Sequence, residues 1–214
     1  MIWTQLEIKV FMDQLRIIMD ENRDLLISLD GVVGDGDLGL TMSAGFSAAY
    51  EAVAELNQPD IGRLLYQAGK MLGRTVPSSM GTLMASGLMN AGKAVTGRSE
   101  LNVDGIYILM QGWQYGVEKL GKAKLGEKTF LDGFVPGVQA LYNAEDFIQT
   151  FQQAAQEAKK GADGTVGMLA MHGRAAIRGE QSRDMMDPGA MVASLIFQAL
   201  YKTAEDIYIK RKMA

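Results

Sequence analysis

Cysteine is absent from the 214-residue chain, which excludes disulfides, zinc–thiolate centres and thiol nucleophiles and is compatible with a reducing compartment. Histidine occurs once, as His172, and a single loop histidine reads as incidental rather than catalytic. There is no excess of basic charge. The 21 Lys and Arg residues against 25 Asp and Glu leave a formal net charge of −4, so the basic stripe that neutralises nucleic-acid phosphates is missing and any phosphate binding must be local. No stretch is long and uncharged enough to span a bilayer. The apolar N-terminal run is interrupted by Glu7, Lys9, Asp13 and Arg16, unlike the h-region of a signal peptide. The expectation is a soluble, cytoplasmic protein with neither a nucleic-acid nor a membrane partner. Strand-like alternation, internal repeats, low-complexity tracts and Pro/Gly/Ser linkers are also missing.

What is present is a hydrophobic fraction of 48%, enough to bury a sizeable core in one domain over residues 1–214. Val10, Phe11, Leu15, Ile18, Met19, Leu25 and Leu26 recur at three- and four-residue steps, which predicts one long helix from Leu6 to Leu29. Comparable stripes run through Met42, Phe46, Ala49, Tyr50 and Val53, and through Ile61, Leu64, Leu65, Ala68 and Leu72. Further helices are expected over 80–96, 103–121, 131–142 and 144–161, with Asn102 and Asn143 as N-caps, and one begins near Pro188 at a first helical position. About eight helices and no strands make an all-α bundle. The Gly-rich segments 31–39, 121–126 and 161–189 fall between helices. If neighbouring helices run antiparallel, alternate connections gather at one end.

The segment LDGVVGDGDLGLTM sets Asp30, Asp35 and Asp37 among Gly31, Gly34, Gly36 and Gly39 just before the second stripe. Glycine permits a turn tight enough for neighbouring carboxylates to face one centre, and carboxylates suit Mg²⁺ or Ca²⁺. Asp and Gly serve equally well as plain turn and capping residues. An EF-hand is excluded, because counting from Asp35 puts Phe46 where the closing glutamate belongs. Magnesium usually completes its shell with water and substrate phosphates, so the loop points towards a phosphorylated or nucleotide ligand. TVPSSMGTLMASGLM, residues 75–89, offers Ser78 or Ser79 at a helix N-terminus, as a cap or as a phosphate contact. A long glycine-bearing segment after residue 161 reads as a lid or binding loop.

These motifs, in this order, resemble the nucleotide-binding L subunit of the dihydroxyacetone kinase family. The acidic loop is similar to its GDGDxGxxM signature, GEKTFLD at 126–132 to its GDKTMLD stretch, and residues 171–196 to its GRA…GE.S…DPGA element. The resemblance implies an antiparallel up-and-down barrel of eight helices, with nucleotide and metal at one rim. It makes Asp30, Asp35 and Asp37 ligands of two Mg²⁺ ions that bridge the phosphates of ADP or ATP, and so catalytic through the metal. It assigns nucleotide contacts to Ser78, Ser79, Met80, Gly81, Thr82, Thr129, Phe130, Gly173, Arg174, Arg178, Asp187, Pro188 and Gly189, with Arg174 the stronger of the two arginines and also catalytic. Asp132 is expected to serve a helix start. The family commonly has His and Asn where this chain has Leu38 and Thr41, and its glycine turn is shortened before Gly81.

The implied activity is transfer of a phosphoryl group to a small ketose held by a separate K-type subunit. The donor is either free ATP or a multiphosphoryl phosphotransferase-system protein that recharges a retained ADP. Two other readings are a regulatory paralogue that binds nucleotide with little or no transfer, and a helical module that binds metal for structural reasons alone.

Overall fold

The computed structural model describes residues 2–142 and 146–213. Among these described residues nine α-helices follow in order: α1 (Gln5–Glu21), α2 (Arg23–Val33), α3 (Leu38–Ala54), α4 (Ile61–Thr75), α5 (Ser79–Ala94), α6 (Val103–Gly121), α7 (Phe130–Ala140), α8 (Phe147–Asp163) and α9 (Pro188–Met213). A 3₁₀ segment, Ala175–Asp184, lies in the α8–α9 connection. Among the described residues the only extended pairing is an isolated bridge between Trp3 and Leu101, and no helix is long and apolar enough to cross a membrane.

The helix starts follow from local chemistry. Thr4 and Glu7 form a capping box on α1. Asp60, Ser78 and Asn102 each accept an N–H from the first turn of α4, α5 and α6, relieving the orphan donors of a helix start. Asn102 is therefore the cap its sequence position predicts. The expected cap Asn143 lies outside the described residues, and α8 is capped by Asp146, whose side chain accepts from Gln149 N–H at 2.8 Å.

The single helix expected from Leu6 to Leu29 is two. Asn22 separates them, and its side-chain amide donates to Ile18 O at 2.9 Å, competing with the backbone ladder at that carbonyl. The redirection leaves Leu26 buried and Leu25 exposed. Both pieces pack on α3 and α9, so α1 and α2 form one bent member of an eight-membered ring.

Each helix packs on its chain neighbour, and α9 closes the ring on α1. The centre is filled rather than hollow. Trp3, Phe11, Phe147 and Phe151 cluster towards one end, and Trp113, Phe130, Phe134 and Phe197 towards the other. The short helix α7 is buried along most of its length and packs on both α8 and α9. At one end of the barrel the N-terminal residues meet the α3–α4 and α5–α6 connections, through Gln5 to Asn57 at 3.0 Å and the mutual Trp3–Leu101 hydrogen bonds at 2.8 Å. The α2–α3, α4–α5, α6–α7 and α8–α9 connections consequently share the other end.

Close packing inside the ring tolerates no added bulk at Gly87, where a Cβ would overlap the Trp113 indole. Gly87→Ala is expected to destabilise the fold by about 1–3 kcal/mol, because a fully buried indole has nowhere to move. Urea unfolding should show a lower midpoint at unchanged slope.

Candidate functional site

The four connections at the second rim surround a cavity of about 800 Å³, within the range that takes a nucleotide-sized ligand. One wall is acidic. Gly34 N–H closes α2 by donating to Asp30 O, and Gly36 takes φ +72°, a conformation that admits glycine without strain. The turn brings carboxylate oxygens of Asp30, Asp35 and Asp37 within 4.8 Å of one another. Asp30 Oδ2 accepts from the N–H groups of Asp37 at 3.0 Å and Leu38 at 3.3 Å, which fixes it against the start of α3. Arg174 crosses from the α8–α9 connection to pair with Asp35 at 2.6 Å. Burial, then the charges of Asp35 and Asp30, push the Asp37 carboxyl above its usual range, the signature of like charges crowded without enough compensation.

The donor set fits a hard divalent cation, since all three groups are carboxylates and neither cysteine nor histidine is among them. Beside it the N-terminus of α5 presents Ser78, Ser79, Met80 and Thr82 to the cavity. Ser78 Oγ is engaged as the cap, accepting Gly81 N–H at 3.0 Å. Another part of the wall is apolar: Leu83, Val117, Leu120, Ala123 and Phe130 come from α5, α6, the α6–α7 connection and the start of α7.

Thr129 begins α7 in a reciprocal capping box with Asp132. Asp132 Oδ2 accepts Thr129 N–H and its Oδ1 accepts Gly126 N–H, both at 2.7 Å, so Asp132 serves the helix start as its position suggests. Asp187 begins α9, accepting Ala190 N–H at 2.7 Å ahead of Pro188. Gly189 sits where a Cβ would press on Met80, Asp187 and the Phe130 backbone.

A family model described as the DAK2 domain matches residues 32–202. The chain belongs to the DAK2 domain family. Among its relatives, the "PEP-dependent dihydroxyacetone kinase 2, ADP-binding subunit DhaL" of Listeria innocua is 35% identical over 86% of this chain and 90% of its own length. The corresponding ADP-binding subunit of Escherichia coli K12 is 31% identical over 88% and 92%. The crystal structure of the dihydroxyacetone kinase from C. freundii in complex with AMP-PNP and Mg²⁺ superposes with a TM-score of 0.73 at 23% identity, over 91% of this chain and 33% of that longer one. That likeness establishes that this DAK2 chain shares the all-α fold.

Of the residues carried over from the family motifs, Asp30, Asp35, Asp37, Ser78, Ser79, Met80, Thr82, Thr129, Phe130, Gly173, Arg174, Asp187, Pro188 and Gly189 all line the one cavity. Two do not. Gly81 is buried behind the α5 N-terminus against Val76, and Arg178 is exposed on the 3₁₀ segment, outside the cavity wall. Leu38 and Thr41 are buried at the cavity edge.

Sequence reasoning named Phe130 but passed over Val117, Leu120 and Ala123, which lie in no motif, and Lys128. The Lys128 ammonium is buried and donates to four backbone carbonyls: Thr165 at 2.9 Å, Met168 at 3.2 Å, Ser182 at 2.5 Å and Met185 at 2.5 Å. It also passed over the Glu127–His172 contact at 2.6 Å, which holds the Glu127 carboxyl below its usual range. His172 thus joins the α8–α9 connection to the α6–α7 loop. The signal for Lys128 was its place inside GEKTFLD; nothing local announced the carbonyls around it.

Burial pushes the Asp187 carboxyl up to about 6 from 3.8, opposed by the Ala190 N–H and reinforced by the Asp132 charge. An acid whose folded pKa exceeds its unfolded value holds its proton more tightly in the native state. Its contribution therefore favours folding at low pH and is lost as pH rises from about 4 to about 6. Asp187→Asn should remove a loss on the order of 2 kcal/mol across that window. Urea unfolding of both proteins between pH 4 and 7 checks the slope; parallel curves would refute it.

Proposed function

We propose that this chain is the nucleotide-holding phosphotransferase subunit of a dihydroxyacetone kinase-type system. ADP or ATP occupies the rim cavity and a phosphoryl group passes to a short ketose carried by a separate K-type subunit. The observation that carries this reading is the joining, in one cavity, of three carboxylates within 4.8 Å of one another to an apolar wall. A nucleotide has the matching halves, a charged phosphate tail and a flat base.

Asp30, Asp35 and Asp37 would hold Mg²⁺, in the arrangement of two ions that the family resemblance implies. The bound metal supplies charge neutralisation at the phosphates. Arg174, already at the acidic loop, brings a planar guanidinium suited to phosphate oxygens. The first N–H groups of α5 have no intrahelical acceptors and favour anions. Phe130, Leu83, Val117 and Leu120 would cover the base, while Gly173, Asp187, Pro188 and Gly189 shape the side under the α8–α9 connection. The chain's own part in transfer is positioning and electrostatics, the dominant contributions for a phosphoryl group in flight.

The names of the relatives support the rest of the assignment. Those from L. innocua and E. coli are ADP-binding subunits of PEP-dependent kinases, and one from Lactococcus lactis, 29% identical, is called PTS-dependent. The reading therefore includes a multiphosphoryl phosphotransferase-system protein as donor, with ADP kept in place as a cofactor, and a cytoplasmic site of action. A second reading, a regulatory nucleotide binder without transfer, draws on the buried Leu38 and Thr41 at the cavity edge. Formation of ketose phosphate on addition of a K-type subunit and a phosphoryl donor separates the two.

Ligand binding to the native state alone raises stability by mass action. With ADP and Mg²⁺ together at about a hundredfold above Kd, the unfolding midpoint should rise by about 5–10 °C. Either ligand alone should give much less, and Asp35→Ala should abolish the joint effect. A nucleotide-free preparation whose midpoint ignores both ligands would refute the reading.

A further inference from the structure

The α8–α9 connection, residues 164–187, is the part of the rim with least regular structure, yet it forms one side of the cavity through His172, Gly173, Arg174, Ala175 and Asp187. Its 3₁₀ segment is broken by Gly179, whose φ and ψ are non-helical, and Ile177 and Met171 are exposed. A segment of this composition has little apolar burial of its own to hold it down. Its backbone is nonetheless pinned from inside. The four carbonyls that receive the Lys128 ammonium come in two pairs, Thr165 and Met168 at the start of the connection, Ser182 and Met185 near its end.

An ammonium has three protons and here meets four acceptors, so it behaves as a small fixed cation within a carbonyl cage. The side chain is rooted at φ +58°, a left-handed conformation uncommon for a non-glycine residue. The residue is 2% exposed. Glu127 of the GEKTFLD segment also reaches the connection, where its side chain meets His172 at 2.6 Å. Ser182 Oγ, accepting Ala170 N–H at 3.0 Å, and Thr165 Oγ1, accepting Asp187 N–H at 2.9 Å, complete the cross-links between the same two stretches.

A lysine between a glycine-bearing turn and a threonine invites assignment to the phosphates. The geometry assigns it otherwise: we propose that Lys128 is a positioning residue that clamps both ends of the 164–187 segment into a fixed cover over the cavity, and thereby sets how slowly bound nucleotide leaves. The proposal rests on the reading of the cavity as a nucleotide site. The clamp itself is testable without any ligand. Lys128 borders the cavity, but its ammonium is committed to the carbonyls, and burial holds it below the usual lysine range. Removing the charge takes the shared donor from four carbonyls, two of them in the buried residues Thr165 and Ser182, and the two stretches lose an anchor common to both.

Two measurements on complementary samples decide it. In the unaltered protein labelled with ¹⁵N at lysine, one side-chain ammonium should exchange with water slowly enough to give its own proton-detected signal at neutral pH. Absence of such a signal overturns the clamp whether or not ADP binds. In Lys128→Met, release of ADP in the presence of Mg²⁺ should accelerate by about tenfold or more. AMP should leave faster by a similar factor, and trypsin should cut at Arg178 and Arg183 while the barrel keeps its helical circular dichroism.

A loss confined to ADP would mark Lys128 as a phosphate contact and overturn the proposal, as would a folded variant with unchanged release and unchanged cleavage. The cysteine-free chain permits a rescue. Lys128→Cys, alkylated with bromoethylamine in the unfolded state and refolded, restores an ammonium of the same reach and should recover slow release; the uncharged carboxamidomethyl adduct should not. Should Lys128→Met fail to fold, the ammonium signal of the native protein stands as the deciding result. Should the native protein bind no ADP, the functional reading fails, and the signal and the cleavage pattern still judge the clamp.

Discussion

A ring of antiparallel helices must return its chain at both ends, and every return that is not helical exposes backbone polar groups that need partners. Most connections here are short enough to find them in helix caps. The α8–α9 connection is not, and the ammonium of Lys128, shared among four of its carbonyls, is what allows an irregular segment to sit over the rim as an ordered wall. A neutral donor at that point would satisfy one or two carbonyls. A cation with three protons reaches all four, and burial is tolerable because the cage replaces the water it excludes. The placement of His172, Gly173, Arg174 and Asp187 around the cavity depends on that anchoring.

The direction of the helices adds an electrostatic constraint. Four helices, α3, α5, α7 and α9, begin at the rim that carries the cavity, and each contributes its first residues to the wall. Of the four that end there, only α2 and α6 line it. The cavity therefore sees more helix N-termini than C-termini, a bias that favours anions. The capping residues Ser78, Thr129 and Asp187 are wall residues for the same reason. The acidic loop works against this bias, which is why a chain of net charge −4 needs compensating cation charge before phosphates can approach Asp30, Asp35 and Asp37. Arg174 supplies part of that compensation at Asp35.

The parts of this arrangement that were legible from sequence are those with local causes. Apolar spacing gave the buried faces of α3 and α4, where Met42, Phe46, Ile61 and Leu64 are fully enclosed. Capping preference placed the start of α6 at Asn102 and that of α9 at Pro188. The bend at Asn22 was not legible, because apolar periodicity continues through it while a side-chain amide adds a second donor at one carbonyl. Motif order brought most site residues to one cavity. It misplaced Arg178 because neighbouring arginines look alike in sequence, and only the 3₁₀ turn between them decides that Arg174 faces the acidic loop and Arg178 the solvent. Lys128 escaped because charge type is visible in a sequence and the carbonyls that surround it, from residues 165 to 185, are not.

Exposure differs between the buried start of α7 and the acidic loop, although Leu120 of the apolar wall is itself 47% exposed, and that difference orders the proposed chemistry. Phe130 and Leu131 at the apolar wall are 3% and 1% exposed, whereas the side chains of Asp35 and Arg174 are 49% and 60% exposed. A nucleotide laid along this gradient puts its base inside and its terminal phosphate at the mouth. In the proposed reading the acceptor arrives from outside, carried by the K-type partner. Exposed Val32 at the end of α2, Leu40 in the first turn of α3, and Met171 and Ile177 in the α8–α9 connection present apolar surface where, in the proposed reading, a partner would close to exclude water from a phosphoryl transfer. In the proposed reading the choice of ketose falls to the partner, and this chain contributes a held nucleotide, a charged loop and a cover clamped by one buried lysine.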